Sequence, residues 1–502
     1  MITDLLAGHA QDRASAPFLY TDTTTYSFGE AFMSVRRFAH VLQAHQIVKG
    51  DHVALVAQNG APWLIAMLAI SWLGAVVVAV NNQLVADGLR YTLKQSDAKL
   101  IVADDAWIDE NSKHLDDSLR LLPLLRLQPE QAFFESLNGE PLADSSHVPG
   151  AAPVAILYTS GTTGLPKGVV NSHHCYEAVG RDTGSALELS PADRIMVFLP
   201  LFHTNPQMYA VMSALTVGCS LILRPRFSSS TFFKDAKRYG ATGFTFVGTV
   251  LSILAMRHPQ AHKDHTLRFA IGGGAPVDIW NAAHERFGFR IHELYGMTEI
   301  GGWVSCNVAS DYRIGSCGKL RPSMDVRIFD ADDREVPTGT AGEIVVRPLE
   351  PDVILSAYYR KPEALVDSSR NFWFHTGDRG MFDADGFLYF HGRSKELIRR
   401  GGEMFSPVEI ETQLRNLSGV EDCAAVGVPD TIMGEEIKIC VVANGELRPQ
   451  QVVEYLRPLL PKNMLPRYVE FLSVIPKTET EKVQRNKLQY LGDSVQDFGK
   501  QA

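Results

Sequence analysis

The run YTSGTTGLPKGVV, Tyr158 to Val170, gathers hydroxyls, glycines and one cation into a turn-prone stretch between the apolar segments VAILY and GVV, which read as strands. Gly161 and Gly164 let backbone N–H groups come close to an anion. The hydroxyls of Thr159, Ser160, Thr162 and Thr163 can donate to its oxygens, and Lys167 adds a point charge. This is phosphate-binding chemistry. A Walker loop is excluded, because it needs glycine directly before the lysine and Ser or Thr directly after it, where this chain has Pro166 and Gly168. A plain solvated hairpin has no need of so many donors.

The elements that must position this loop are those of an α/β protein. GDHVALVA, KLIVAD, RIMVFLP and CSLILRP read as short buried strands between helical stretches. APWLIAMLAISWLGAVVVAV, Ala61 to Val80, is uncharged over a length that could span a bilayer. Its grammar is that of a soluble unit instead: Pro62 suits a helix start, Gly74 a helix end, and VVVAV a parallel strand buried on both faces. Past about Asp325 the texture changes to short strands with Gly and Asp turns, a smaller and mostly antiparallel region. The basic stretch GRSKELIRRGG follows, then SPVEIETQLRNLSGVEDCAAVGVPD, which reads as helix then strand, so a domain boundary is expected near Arg393 to Lys395.

At 502 residues the chain exceeds one ordinary core, and at least two domains are expected. Hydrophobic residues at 45% and charged residues at 21% fit a soluble globular protein, and a net charge of -9 gives no reason to expect nucleic acid. The six cysteines form no C-x-x-C pair, which argues for a reducing compartment and against a structural zinc site. Neither end carries a recognisable address, so the expected location is the cytoplasm.

YTSGTTGLPKG, PLFHT, GGGAP, ELYGMTE, GEI, HTGD, GRSKELIRRGGEMFSPVEIE and a lysine near the C-terminus occur in the order found in one family. By this ordered set the chain resembles the adenylate-forming superfamily of acyl-CoA synthetases, nonribosomal-peptide adenylation domains and luciferases, through most of its length. The resemblance implies a large N-terminal domain of stacked α/β sheets plus a small β-barrel-like region, residues 1–392. It also implies a small mobile α+β C-terminal domain, residues 393–502, with a hinge near Lys395. The implied reaction joins a carboxylic acid to ATP as an acyl-adenylate, releases pyrophosphate, and passes the acyl group to a thiol. Because a carboxylate must attack a phosphorus ringed by anionic oxygens, alignment and cations should dominate, with no protein nucleophile.

Residue roles carried by the resemblance follow. The Thr159–Lys167 loop holds the β and γ phosphates; Thr298 meets the α-phosphate and Glu299 supplies the hard oxygen that Mg2+ prefers. Gly272, Gly273, Gly274, Ala275 and Pro276 let adenine lie against backbone, with Glu293, Leu294, Tyr295, Gly296 and Met297 beside it and Tyr295 as a stacking face. Asp378 grips the ribose, with Arg393 as companion. Lys482 bridges the substrate carboxylate and the α-phosphate, although Glu481 stands where many relatives have glycine and can compete for the ammonium. Lys477 and Lys487 are nearby alternatives.

By the same resemblance, His203, Thr204, Asn205, Phe246, Val247, Gly248, Gly301, Gly302 and Trp303 line the acyl pocket. Large walls such as Phe246 and Trp303 suit an aromatic, alicyclic or medium-chain acid, and no Lys or Arg stands out among these positions. Arg400, Gly401, Gly402 and Glu403 receive coenzyme A after rotation about Lys395. An acyl-CoA ligase using ATP, Mg2+ and CoA is the leading reading. A stand-alone enzyme loading an acyl carrier protein and a non-catalytic AMP-binding protein are the alternatives, and a homodimer is left open.

Overall fold

The computed structural model describes residues 1–84, 86–111, 122–159, 166–275, 277–393, 396–400, 403–430, 433–445, 447–460, 464–478 and 482–499, with backbone alone at 86, 87, 278, 393, 399, 403 and 404. The chain divides into two compact units, one of residues 1–326 and 346–374, the other of residues 327–345 and 375–502.

The first unit is built on two sheets. The seven-stranded sheet runs Ala357–Tyr358, Lys167–Ser172, Pro153–Thr159, Val76–Ala79, His52–Val56, Leu100–Asp104, Leu124–Leu127. Its five strands from Pro153–Thr159 to Leu124–Leu127 are parallel, and the other two are antiparallel. The nine-stranded sheet runs Lys319–Leu320, Gly302–Cys306, Arg290–Met297, Phe269–Gly273, Gly243–Val247, Arg194–Val197, Ser220–Leu223, Pro17–Tyr20, Thr25–Ser27. The β-branched runs became strands as their sequence implied.

Period-two alternation explains how one strand serves two cores. Val53 and Leu55 join a cluster that also contains Ile195, Val197, Leu221 and Leu223 of the other sheet, whereas Ala54 and Val56 face a second cluster with Leu89, Leu93 and Trp107. Between the sheets lies the helix Ala61–Trp72, every residue of which is buried. Its uniform apolarity therefore reflects burial on all sides. Among the described residues no helix is long and apolar enough to cross a membrane.

The second unit holds a six-stranded sheet, ordered Glu403–Phe405, Ile398–Arg400, Gly434–Ala443, Tyr468–Phe471, Gln496–Asp497, with Val420–Asp430 also paired to Gly434–Ala443. Helices Pro407–Leu414 and Pro449–Leu456 share its core through Ile410, Leu414, Val452, Val453 and Leu456. Residues 378–382 of the strand Trp373–Phe382 pair antiparallel with Leu388–Arg393, in keeping with the antiparallel texture read from the sequence.

Candidate active site

The phosphate-loop strands are the antiparallel pair Pro153–Thr159 and Lys167–Ser172, in register so that Thr159 faces Lys167. Ser160, Gly161, Thr162, Thr163 and Gly164 lie outside the described residues. At the mouth of this pair the Lys167 ammonium sits 4.8 Å from the centre of the Tyr358 ring, a cation–π contact. The Thr159 hydroxyl donates to Glu299 Oε1 at 3.0 Å, and the Tyr358 hydroxyl is 3.3 Å from the same oxygen. Glu299 is buried, so these donors offset the cost of keeping a carboxylate away from water.

Glu299 lies on the single 3-10 turn Thr298–Ile300 that follows the strand Arg290–Met297. Gly301 and Gly302 continue the chain at φ of 68° and 91°, and a side chain on Gly301 would collide with the Val353 carbonyl. Only glycine fits that conformation and that space. Thr298 Oγ1 is 2.6 Å from Thr204 Oγ1, joining the YGMTE segment to PLFHT, and Asn205 Nδ2 donates to the Phe246 carbonyl at 2.9 Å. His203 lies against Phe202, ring centres 4.4 Å apart, and its backbone N–H donates to the Pro200 carbonyl.

The GGGAP segment closes onto the same strand. Gly274 and Ala275 donate their backbone N–H groups to the two carboxyl oxygens of Glu293, at 2.6 and 3.1 Å. Burial pushes the Glu293 carboxyl up to about 8, against the pull of those two donors. Gly274 and Ala275 are thus held by the Glu293 side chain and Gly272 pairs with Glu293 in register, next to Leu294 and the buried Tyr295, with Gly296 and Met297 completing the strand. Gly248 opens a helix beside them, and Val247 ends the strand before it. Pro276 lies outside the described residues.

Trp303 and Phe246 are buried in separate core clusters. The Trp303 indole N–H donates to Thr183 at 2.8 Å. Two neighbours were not legible in the sequence: Tyr358, just described, and Arg321, a fully buried guanidinium whose Nη1 donates to the Gly301 carbonyl at 3.1 Å. An Arg within an otherwise strand-like GKLRPSMDV segment was the available signal.

The second unit carries the remaining expected residues. Glu343 of GEI accepts from the Gly377 N–H at 3.0 Å and is 2.9 Å from His375 Nδ1, so it fixes the HTGD turn that presents Asp378. Asp378 is buried and pairs in register with Arg393, of which the backbone alone is described. Arg400 is buried in an ion pair with Glu436, Nε to Oε2 2.6 Å. Lys482 is exposed, its backbone N–H donating to Thr478 Oγ1 at 3.2 Å. Lys395, Gly401, Gly402 and Glu481 lie outside the described residues, as does the side chain of Glu403. Among the described residues no cluster of three or more His, Cys, Asp or Glu could hold a metal by itself.

A crevice of about 420 Å³ opens at the carboxyl ends of the strands His52–Val56, Leu100–Asp104 and Leu124–Leu127, and none of the expected site residues lines it. Asn59 on its wall donates to the Leu199 carbonyl and accepts from the Leu201 N–H, steadying the segment that leads to His203.

Comparison with known proteins shows the family. The AMP-binding enzyme family matches residues 6–355, and the AMP-binding enzyme C-terminal domain matches residues 409–482. The chain belongs to this family of adenylate-forming enzymes, on its acid–thiol ligase branch. A sulfoacetate–CoA ligase of Cupriavidus necator is 32% identical over 96% of this chain and 96% of its own. The crystal structure of ATP-bound MatB from Rhodopseudomonas palustris superposes with a TM-score of 0.89 at 27% identity, covering 97% of this chain and 98% of that one. The o-succinylbenzoate CoA synthetase MenE of Bacillus subtilis, bound to its acyl-adenylate intermediate, gives 0.87 at 26% identity over 98% of each chain.

Proposed function

We propose that the chain is an ATP-dependent acyl-CoA ligase that activates a carboxylic acid as its acyl-adenylate, releases pyrophosphate, and transfers the acyl group to coenzyme A with release of AMP. The carrying observation is the junction at Glu299, where the end of the phosphate-loop strand, the YGMTE turn and Tyr358 meet on one carboxylate oxygen.

The donor set at Glu299 fits Mg2+: a hard carboxylate beside hydroxyls, with nucleotide phosphates to complete the sphere. When bound, the ion neutralises charge on the phosphate oxygens. Lys167 and the loop hydroxyls take the leaving phosphates, Thr298 the α-phosphate, and Lys482 the reacting carboxylate. Asp378 and Arg393 hold the ribose, while the segment Gly272–Pro276 and Tyr295 hold the adenine. His203, Thr204, Asn205 and Phe246 to Gly248 border the acyl group, together with Gly301, Gly302 and Trp303. The segment Arg400–Glu403 meets coenzyme A after residues 393–502 pivot at Lys395. Six buried cysteines, none in a disulfide, support a reducing compartment, the cytoplasm.

The test is acid-dependent exchange of pyrophosphate into ATP across a panel of carboxylic acids. Exchange with some acids and not others supports the reading. No exchange with any acid, from folded protein that binds ATP, refutes it.

A further inference from the structure

Lys482 stands on a short hairpin whose two legs are tied backbone to backbone. The Thr478 N–H donates to the Lys482 carbonyl at 2.7 Å, the Lys482 N–H donates to Thr478 Oγ1 at 3.2 Å, and the Gln484 N–H donates to the Pro476 carbonyl at 2.8 Å, with Lys477 bridged to Val483. One leg is anchored by an ion pair, Lys477 Nζ to Asp422 Oδ2 at 2.6 Å. Lys477 thus secures the hairpin, and Lys482 is the exposed cation on it.

The other leg runs into Arg485, which opens the 3-10 turn Arg485–Lys487. Its side chain is 12% exposed, and that of its partner Glu411, on the helix Pro407–Leu414, is 6% exposed. The guanidinium meets both carboxylate oxygens, Nη1 on Oε1 and Nη2 on Oε2, the second at 3.2 Å. Nη1 also donates to the Ala425 carbonyl at 2.7 Å, and Nε donates to Glu396 Oε2 at 3.2 Å. Glu411 Oε1 in turn accepts from the Ala425 N–H at 2.8 Å. One side chain therefore joins the hairpin to a helix, to the strand Val420–Asp430 and to Glu396, the residue that follows the expected pivot Lys395 in sequence. A forked contact of this kind fixes direction as well as distance, which an ammonium does not.

We propose that Arg485 is the positioning residue of the adenylation step, aiming Lys482 by clamping the base of its hairpin to Glu411 and Ala425. This inference rests on the acyl-CoA ligase reading and on the role that reading gives Lys482. Lys482 lies three residues before the clamp and carries its charge on a flexible four-carbon stem, so its direction is set by the backbone that bears it. A cation stabilises the developing charge of a transition state only if it is already in place, and a misplacement of about 1 Å can cost on the order of a hundredfold in rate. Ordering the hairpin during folding removes from the reaction the entropy cost of holding it there. Transfer to coenzyme A makes no use of Lys482 and therefore none of the clamp.

Arg485→Met alone would leave Glu411 as a buried carboxylate without its cation, so the test pairs it with Glu411→Gln, which removes both charges and keeps an acceptor for the Ala425 N–H. In the full chain, the paired variant should lower kcat for acid-dependent pyrophosphate exchange by about tenfold to a hundredfold, with KM for ATP and thioester formation from a supplied acyl-adenylate each changed by less than about threefold. In a Lys482→Ala background the same pair should lower exchange by less than about twofold further, because a residue that acts through Lys482 has nothing left to aim. Arg485→Lys, which keeps the charge and loses the fork, should give the same split at a smaller loss and decides the matter where the paired variant does not fold. Equal loss of both half-reactions, as for a residue that merely supports the fold, would overturn the inference. So would unchanged exchange, or a full further loss in the Lys482→Ala background. Wild-type exchange that survives Lys482→Ala overturns this inference and leaves the ligase reading intact; exchange with no acid refutes that reading and this one together.

Discussion

Thr159 and Glu299, 140 positions apart, share a hydrogen bond of 3.0 Å from hydroxyl to carboxylate. It fastens the strand that enters the phosphate loop to the turn that carries the metal-binding candidate. Tyr358 meets the same oxygen at 3.3 Å while its ring receives the Lys167 ammonium. Tyr358→Phe keeps the ring and removes the hydroxyl. We expect a loss of about 1 kcal/mol in transition-state stabilisation, roughly fivefold in kcat/KM for ATP, with the fold intact. An unchanged value would mean that the hydroxyl does not steady Glu299.

Lys482→Ala should cripple adenylate formation by about a hundredfold or more while leaving transfer to CoA from a supplied acyl-adenylate largely intact, since the lost cation acts at the first step only. Separate assays of pyrophosphate exchange and of thioester formation from the adenylate check it. Equal loss of both half-reactions would remove Lys482 from its assigned role.

Lys395→Pro fixes φ at the expected pivot and restricts Ser394 before it. One half-reaction, adenylation, should survive and thioester formation should fall. Full overall turnover would exclude Lys395 as the pivot.

Glu293 gives stability a pH dependence of known sign. Its folded carboxyl titrates near 8 and its ordinary value is 4.5, so the folded state holds a proton that the unfolded state has lost between those limits. The stabilisation is full below about 4.5 and is lost as pH rises through about 8. Glu293→Gln cannot titrate, so the difference in urea-unfolding free energy between wild type and variant should shrink steadily from pH 5 toward pH 8. A constant difference would contradict the raised value.

Trp303→Ala should cost about 3–5 kcal/mol of stability, because it opens a core cavity and strands the Thr183 hydroxyl that now receives the indole N–H. Chemical denaturation measures this; a cost below about 1 kcal/mol would contradict the packing of the ring against its cluster and Thr183.

The fold was legible where local pattern decides it. β-branched runs such as VVVAV can hardly be anything but buried strands, and VAILY and GVV lie in the strands Pro153–Thr159 and Lys167–Ser172, which pair antiparallel. What was not legible depends on distant partners. Arg321 reads as a surface charge in GKLRPS, and its burial is set by Asp182, 139 positions earlier. Tyr358 is ordinary in sequence until it meets Glu299, 59 positions before it. The burial of the Trp303 ring also depends on Thr183, 120 positions earlier, and on the surrounding cluster. The role of Glu343 in fixing the HTGD turn likewise follows from a pairing across 34 positions.

The most direct measurement of the central claim is the product balance with free coenzyme A. Purified protein, ATP, Mg2+, an acid that supports pyrophosphate exchange, and CoA should give pyrophosphate, AMP and acyl-CoA thioester in equal amounts. Pyrophosphate released without any thioester, even with CoA in excess, would contradict an acyl-CoA ligase and point to a carrier-protein thiol as the acceptor.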